Sequence, residues 1–363
     1  MREEELLRCQ IQEWYPIFKP YSIRTLFHPL PDSFLRYLLG LPLNPSSPDG
    51  DADGDDDAPP PFLLPVSASG RDPLPRATAH IDPVSLLDFD TSFSSSDDED
   101  AGEASSTTAP SFPELEAAVE RSIAALGGAA FPKLNWSAPK DAAWISADGT
   151  LRCTSFVDVA LLLRSSDAIA HDLSHALPSC RDNERSSTTT FYLALRKWYP
   201  SLRPEMEFRC FARHRRLVGI SQREVTGFYP VLLDRHHEIQ PLIEVFFAEV
   251  VKPRFGSEDY TFDVYVTGDG RVKLLDFNPW GAFTLPLLFS WEELEGEGFG
   301  GEEGRAVEFR IVESQCGLRP GLKTAVPFDY LDTAESSGWD QFLKKADEEL
   351  RRQIQTTPAP DAD

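Results

Sequence analysis

Two aspartates lie on the arms of what reads as a tight β-hairpin early in the last third of the chain. Residues Tyr260 to Val266 and Arg271 to Phe277 are strand-like, and Asp269-Gly270 between them suits a two-residue type I′ connection. Pairing Gly268 with Arg271 then sets Asp263 directly across from Asp276, and the period of two puts Asn278 on the same face as Asp276. Three oxygen-bearing side chains converge. Opposed carboxylates repel each other, so a cation between them is expected, and an oxygen-only set suits Mg²⁺, which takes its other ligands from water and nucleotide phosphates. On this reasoning truncating Asp263 or Asp276 should cost little stability, because relief of repulsion offsets the lost metal. The competing reading is two solvated acids on an edge strand. The apolar neighbours Phe262, Val264, Leu274, Leu275 and Phe277 argue against it.

A phosphate site also needs cations. Lys133 ends an apolar stretch in Phe131-Pro132-Lys133-Leu134-Asn135-Trp136, and alternation after Leu193 and Leu195 points Arg196 and Trp198 to one face and Lys197 to the other. Glu207, Arg209 and Cys210 lie on the next strand, and Arg223 ends the one after it. Trp198, beside two cations, suits stacking on a base. The chain has no G-x-x-x-x-G-K-[ST] or G-x-G-x-x-G motif, which excludes a P-loop and a dinucleotide-binding fingerprint. His171, His175 and Cys180 sit in a polar stretch that reads as a loop without the rigid frame a zinc site needs. No serine elbow or cysteine–histidine arrangement stands out.

The elements that must position these residues are legible in part. Helices are expected from Glu3 to Trp14, from Ser33 to Leu39, from Ser111 to Leu126 with Gly127-Gly128 as its stop, and from Ser155, where Asp158 completes a capping box. A strand runs from Ala129 to Leu134, another from Phe191 to Trp198. The pair Glu207 to Arg213 and Leu217 to Gln222 turns at His214-Arg215, and a helix from about His237 to Val251 precedes the hairpin. Glu292 to Glu303 reads as an acid- and glycine-rich loop, and the last 25 or so residues as an amphipathic helix with an acidic end.

The 363 residues are enough for two or three domains and a sizeable core, and 41% hydrophobic with 26% charged residues is ordinary for a soluble protein. The net charge of −24 is not ordinary, and it argues against a nucleic-acid partner, whose affinity comes from neutralised phosphates. Residues 44–112 hold 15 acids, two bases and ten of the 30 prolines, the composition of a disordered insert. The start Met1-Arg2-Glu3-Glu4-Glu5 does not read as a signal peptide, and the apolar runs are too short to cross a bilayer. Five scattered cysteines without a C-x-x-C pair are expected to be reduced thiols, so a cytoplasmic location is expected.

Several of these stretches resemble the cell division cycle protein 123 family. They are Phe131-Pro132-Lys133-Leu134-Asn135-Trp136-Ser137-Ala138-Pro139-Lys140-Asp141-Ala142, Leu195-Arg196-Lys197-Trp198, Glu207-Phe208-Arg209-Cys210-Phe211, Gly219-Ile220-Ser221-Gln222-Arg223 and Leu275-Asp276-Phe277-Asn278-Pro279. The resemblance starts at Cys9-Gln10 and Trp14-Tyr15-Pro16, reaches Trp291-Glu292-Glu293-Leu294, skips the insert and fades in the tail. It implies an α+β, ATP-grasp-like fold of two subdomains clasping Mg²⁺ and ATP, with the disordered acidic insert added. The divisions expected are an N-terminal helical part (1–43), the insert (44–110), two ATP-grasp subdomains (111–195 and 196–335) and a C-terminal helix with acidic tail (336–363).

By the same resemblance Lys133, Asn135, Trp136, Ala138, Asp141, Arg196, Lys197, Trp198, Arg209 and Arg223 would line the nucleotide pocket, with backbone near Lys197 and Trp198 at the adenine edge. Asp263, Asp276 and Asn278 would hold Mg²⁺. The implied function is assembly of eukaryotic translation initiation factor 2 through its gamma subunit, by a chain monomeric on its own and without nucleic acid or membrane as partner. The alternatives are an ATP-dependent carboxylate-amine ligase, against which Trp144 to Cys153 offers only Gly149 as material for a flap, and an acidic chaperone for which ATP is irrelevant.

Overall fold

The computed structural model describes residues 1–43, 64–65, 110–181, 189–281, 284–296 and 306–314. The expected disordered acidic insert apart from residues 64, 65 and 110, the acid-rich loop beyond residue 296 and the C-terminal helix lie outside them. In chain order the helices are α1 (Glu3–Arg8), α2 (Ile11–Phe18), α3 (Asp32–Leu38), α4 (Pro113–Ala125), α5 (Phe156–Arg164), α6 (Asp167–Ser174), α7 (Pro230–Phe246) and α8 (Trp291–Glu295). The strands are β1 (Thr25–Pro29), β2 (Ala130–Lys133), β3 (Tyr192–Lys197), β4 (Glu207–Arg213), β5 (Arg216–Gln222), β6 (Tyr260–Val266), β7 (Val272–Pro279) and β8 (Glu308–Arg310).

The strands form two sheets, β1-β3-β2 and β7-β6-β4-β5-β8, each with its own core. Around the smaller sheet α3, α4, α5 and α6 bury Phe34, Val119, Phe156 and Leu163 against Leu193 and Leu195. Against one face of the larger sheet α1, α2 and α7 bury Leu6, Trp14, Phe18 and Ile243 on Phe208, Phe262 and Phe277. The N-terminal 43 residues therefore divide, with α1 and α2 on the larger sheet and α3 on the smaller. The opposite face of the larger sheet carries Arg209, Asp263 and Asp276, because alternate residues of a strand point to opposite sides. This is an α+β arrangement, two sheet-bearing lobes around a cleft.

Local signals explain most boundaries. Ser155 caps α5, its Oγ accepting from Asp158 N (3.1 Å) while the Asp158 carboxylate accepts from Ser155 N (3.0 Å). Helix α7 starts seven residues earlier than expected, because Pro230 takes a first-turn position where its missing N–H costs nothing. The N-terminal helix breaks at Cys9-Gln10 into α1 and α2. Four elements, β1, α6, α8 and β8, are additions to the sequence reading, and α8 puts a capped helix where Glu292 to Glu295 was read as the start of a loop, its N-cap Ser290 accepting from Glu293 N (3.1 Å). His171 lies on α6 and stacks on His175 (5.7 Å) instead of lying in a loop.

The hairpin corrects the turn but keeps its consequence. Asp269-Gly270 is not a two-residue connection: Thr267 N bonds Arg271 O and Gly270 N bonds Thr267 O (both 2.9 Å), and Gly270 has φ +79°. That is a three-residue loop, a type I turn closed by a left-handed glycine. It slips the pairing by one, so Val266 faces Val272 and Val264 faces Leu274. A bulge at Leu275 restores the lost residue, and Asp263 faces Asp276 after all. The primed-type turn occurs at His214-Arg215, with φ of +49° and +58°.

Phe277 locks the hairpin to the N-terminal helices. It is 1% exposed, lies parallel to Phe255 at 3.9 Å and edge-on to Trp14 at 5.6 Å. Phe277→Ala is expected to cost about 3–5 kcal/mol of unfolding free energy in urea denaturation, as for other buried aromatic truncations.

Candidate nucleotide-binding site

The cleft between the lobes is a cavity of about 660 Å³, within the usual ~300–1,000 Å³ for small-molecule sites. The smaller sheet contributes Phe131, Lys133, Arg196 and Trp198; the larger contributes Glu207, Arg209, Arg223, Asp263, Asp276 and Asn278. Ile23, Phe131, Trp198, Leu202 and Leu275 give the lining an apolar part, and the rest is largely charged. Five basic side chains face four carboxylates across this wall, a local excess of positive charge in a strongly acidic chain.

Strand alternation accounts for who is there. Arg196 and Trp198 line the cavity while Lys197 points away, its ammonium over the Tyr199 ring (5.3 Å) and its backbone N–H bonded to Arg24 O (2.9 Å). Trp198 N bonds Ala129 O (3.2 Å). The Arg196 guanidinium is held 5.3 Å over the Phe131 ring and is only 4% exposed, yet its Nε and Nη2 have no hydrogen-bond partner.

The opposed aspartates are neutralised from within the protein. Asp263 accepts from Arg209 Nε (2.7 Å) and Nη2 (2.8 Å) and from Arg223 Nε (3.1 Å). Burial opposes its charge, but the two guanidiniums outweigh burial and hold its carboxyl well below the usual range. Asp276 Oδ2 accepts from Lys133 Nζ (2.9 Å), an ion pair across the cleft. Lys133 Nζ also donates to Trp136 O. Repulsion between the carboxylates is therefore already answered by three cations, which the sequence reading assigned to phosphates alone.

These residues fit a magnesium ion. Asp276 Oδ1 is buried without a partner, and so is the carboxamide nitrogen of Asn278, leaving that group free to turn its oxygen inward. Carboxylate and amide oxygens are the donors Mg²⁺ prefers. No cluster of three His, Cys, Asp or Glu side chains suited to a metal occurs among the described residues, so Asn278 is needed to complete the set.

Asn135 and Asp141 stand behind the wall. Asn135 is fully buried and pins the start of β3, accepting from Tyr192 N (2.7 Å) and donating to Thr190 O (3.2 Å). Asp141 accepts from Ser166 Oγ (2.6 Å) and Ala168 N (3.1 Å) at the start of α6. Asp172, on the same helix, returns the tie by accepting from Ser137 N and Ser137 Oγ, both at 2.8 Å. Two carboxylates thus lace α6 to the Trp136–Asp141 segment of the cavity wall. Trp136 lines the cavity and anchors α1 through its Nε1 bond to Leu6 O (2.9 Å). Ala138 also lines it.

A family model described as D123 matches residues 14–334. The chain belongs to the D123 family. Among its curated relatives, the translation initiation factor eIF2 assembly protein of Xenopus laevis is 36% identical over 95% of this chain and 96% of its own. The protein of the same name from Schizosaccharomyces pombe is 31% identical over 95% and 96%. The solved structure of Cdc123 from Schizosaccharomyces pombe superposes with a TM-score of 0.62 at 29% identity, covering 86% of this chain and 99% of that one. The resemblance seen in the motifs is the family itself.

Against the D123 motifs, Lys140, Glu207 and the Gly149–Leu151 turn are cavity residues that sequence reasoning did not select. Glu207 carried a signal, since it sits two residues from Arg209 on one strand face. The Arg223 charge, foremost, lowers the pKa of Lys140, which stands exposed at the mouth. The turn around Gly149 (φ +66°) does reach the cavity, pinned by Thr150 N bonds to Ser146 Oγ (2.9 Å) and Asp148 Oδ1 (3.0 Å).

Two outcomes follow from these charges. Asp263→Ala would leave two buried guanidiniums without an anion, so a loss of about 3–5 kcal/mol in urea denaturation replaces the small effect expected from repulsion alone. Burial pushes the Asp172 carboxyl up to about 6, above its ordinary 3.8. The folded state then holds a proton the unfolded chain has released, so wild-type stability relative to Asp172→Asn falls as pH rises from 4 through 6. The full span is roughly 3 kcal/mol, and denaturation of both proteins at pH 4 and 7.5 measures it.

Proposed function

We propose that this D123-family chain is an assembly factor for eukaryotic translation initiation factor 2 that binds Mg²⁺ and ATP between its lobes and holds the gamma subunit as client. The relatives' shared name supports the assembly role, and the motif resemblance supplies the gamma subunit. The nucleotide rests on one observation above the others: Arg196, almost wholly buried in the cleft wall, offers two N–H groups that nothing in the protein accepts. Buried donors are nearly always satisfied, and a guanidinium so placed calls for an anion with several oxygens.

In this reading the base stacks against Trp198, and the phosphates reach Arg196, Lys133, Lys140 and Arg223. Asp263, Asp276 and Asn278 would hold the magnesium, whose charge would offset that of the phosphates. Because the two walls belong to different sheets, one ligand spans both lobes. Binding alone then favours the closed arrangement by RT ln(1 + [L]/Kd), about 2.7 kcal/mol at a hundredfold excess over Kd, without any hydrolysis. The chain acts as a clamp set by nucleotide, presenting a fixed surface to the client.

Titration calorimetry with Mg²⁺-ATP tests this. Wild type is expected to bind, and Arg196→Ala to lose roughly tenfold to hundredfold in affinity, the worth of a charged hydrogen bond, with little change in stability because no internal partner is orphaned. Capture of the purified gamma subunit is expected to rise with ATP. Absence of Mg²⁺-ATP binding to wild type ends the nucleotide reading, and ADP release dependent on an added small amine or amino acid would place the chain among ligases instead.

A further inference from the structure

The charged part of the cleft supplies its own counter-ions, and this bears on how a metal enters. Both oxygens of Asp263 are engaged by guanidinium, and one oxygen of Asp276 by ammonium. With five bases against four acids on the wall, a divalent ion arriving by itself meets net positive charge. To ligate Asp263 at Oδ2, the oxygen that accepts from both arginines, it must displace one of them, and a guanidinium displaced in a largely desolvated cleft needs another anion.

The two arginines are not equivalent. Arg209 grips Asp263 with two nitrogens, is tied by a third to Leu285 O (2.9 Å), and its side chain is 5% exposed. Arg223 makes one contact, 3.1 Å from Nε, at the end of β5, with 23% of its side chain exposed toward the cavity. Arg223 can swing; Arg209 cannot without breaking three bonds.

We infer that Arg223 makes metal binding conditional on nucleotide: it occupies Asp263 Oδ2 beside Arg209 Nη2 until phosphate oxygens take its guanidinium, and only then does that oxygen present a free lone pair, with one less cation beside it, to the divalent ion. This rests on the Mg²⁺-ATP reading and specifies the coupling within it. Lys133 plays the same part toward Asp276, which already has one oxygen free. Metal and nucleotide therefore enter together, with strong positive coupling that is reciprocal by linkage. Arg223 is a positioning residue here, acting through Asp263.

The test uses the full chain and Mn²⁺, whose free ion gives an electron paramagnetic resonance signal that binding removes. Wild type without nucleotide is expected to leave the signal of sub-millimolar Mn²⁺ essentially intact, and with ATP to bind it at least tenfold more tightly. Arg223→Ala is expected to show opposite changes: Mn²⁺ alone binds on the order of tenfold more tightly than to wild type, while ATP with metal binds more weakly. Mere structural damage would weaken both. If Arg223→Ala fails to fold by circular dichroism, Arg223→Gln keeps the stem and carries the same expectation. Mn²⁺ binding to wild type equally well with and without ATP, or unchanged coupling in the variant, overturns the proposal while leaving nucleotide binding intact. Failure of ATP to bind wild type with any metal would instead defeat the reading beneath it.

Discussion

Everything at the cleft depends on a buried carboxylate held between two arginines. An ionised aspartate that is 5% exposed is tolerated only because Arg209 and Arg223 answer it, and those arginines in turn sit within the lobe's interior only because Asp263 is there. Such a triad contributes little net stability compared with an apolar core of the same volume. Its presence in the wall of a cavity, and not deep in the sheet, is therefore a mark of function. A charge cluster that can exchange internal partners for ligand partners is a binding site already assembled, and the protein spends little reorganisation when the ligand arrives.

The hairpin shows how backbone defects serve that cluster. A three-residue loop alone would slide Asp276 out of line with Asp263, and with a side-chain period of two the slip would move it to the face occupied by Phe262 and Phe277. The extra residue at Leu275 undoes the slip. It also brings Leu275 into the cavity lining, so one bulge sets the charged pair and adds an apolar surface beside it. Bulges beside functional sites are common because they re-aim a side chain without rebuilding the sheet.

What the sequence made legible was periodicity and caps. Alternation correctly separated Arg196 and Trp198 from Lys197, and the Ser155–Asp158 box marked a helix start to the residue. The opposition of Asp263 and Asp276 was reached from a turn type this hairpin does not use, and it stands because two deviations of one residue cancel. Contacts distant in sequence were not legible. Nothing near Asp263 announces that Arg209 and Arg223 will close on it, so its neutralisation from within was missed and a metal was asked to supply all the positive charge. Asn135 and Asp141 sit among motif residues that line the cavity, and motif membership cannot distinguish a wall residue from one pinning the wall from behind. The short strand β1 and helix α6 carry too little periodicity to compete with their polar surroundings.

The division of the N-terminal segment bears on how the clamp works. Helices α1 and α2 belong to the core of the larger sheet, but Trp136, on the wall contributed by the other lobe's segment, donates to Leu6 O, and Ile11 N bonds Asn135 O (2.8 Å). Ser22, just before β1, bonds Leu274 O (2.8 Å) on the hairpin. The lobes are thus joined by hydrogen bonds between the N-terminal segment and both walls, and across the cavity by the Lys133–Asp276 pair, whose lysine is buried. With an ion pair bridging the two walls, a ligand competing for that pair bears on how they are held together. Binding energy gained there would be felt at the surfaces of both lobes outside the cleft.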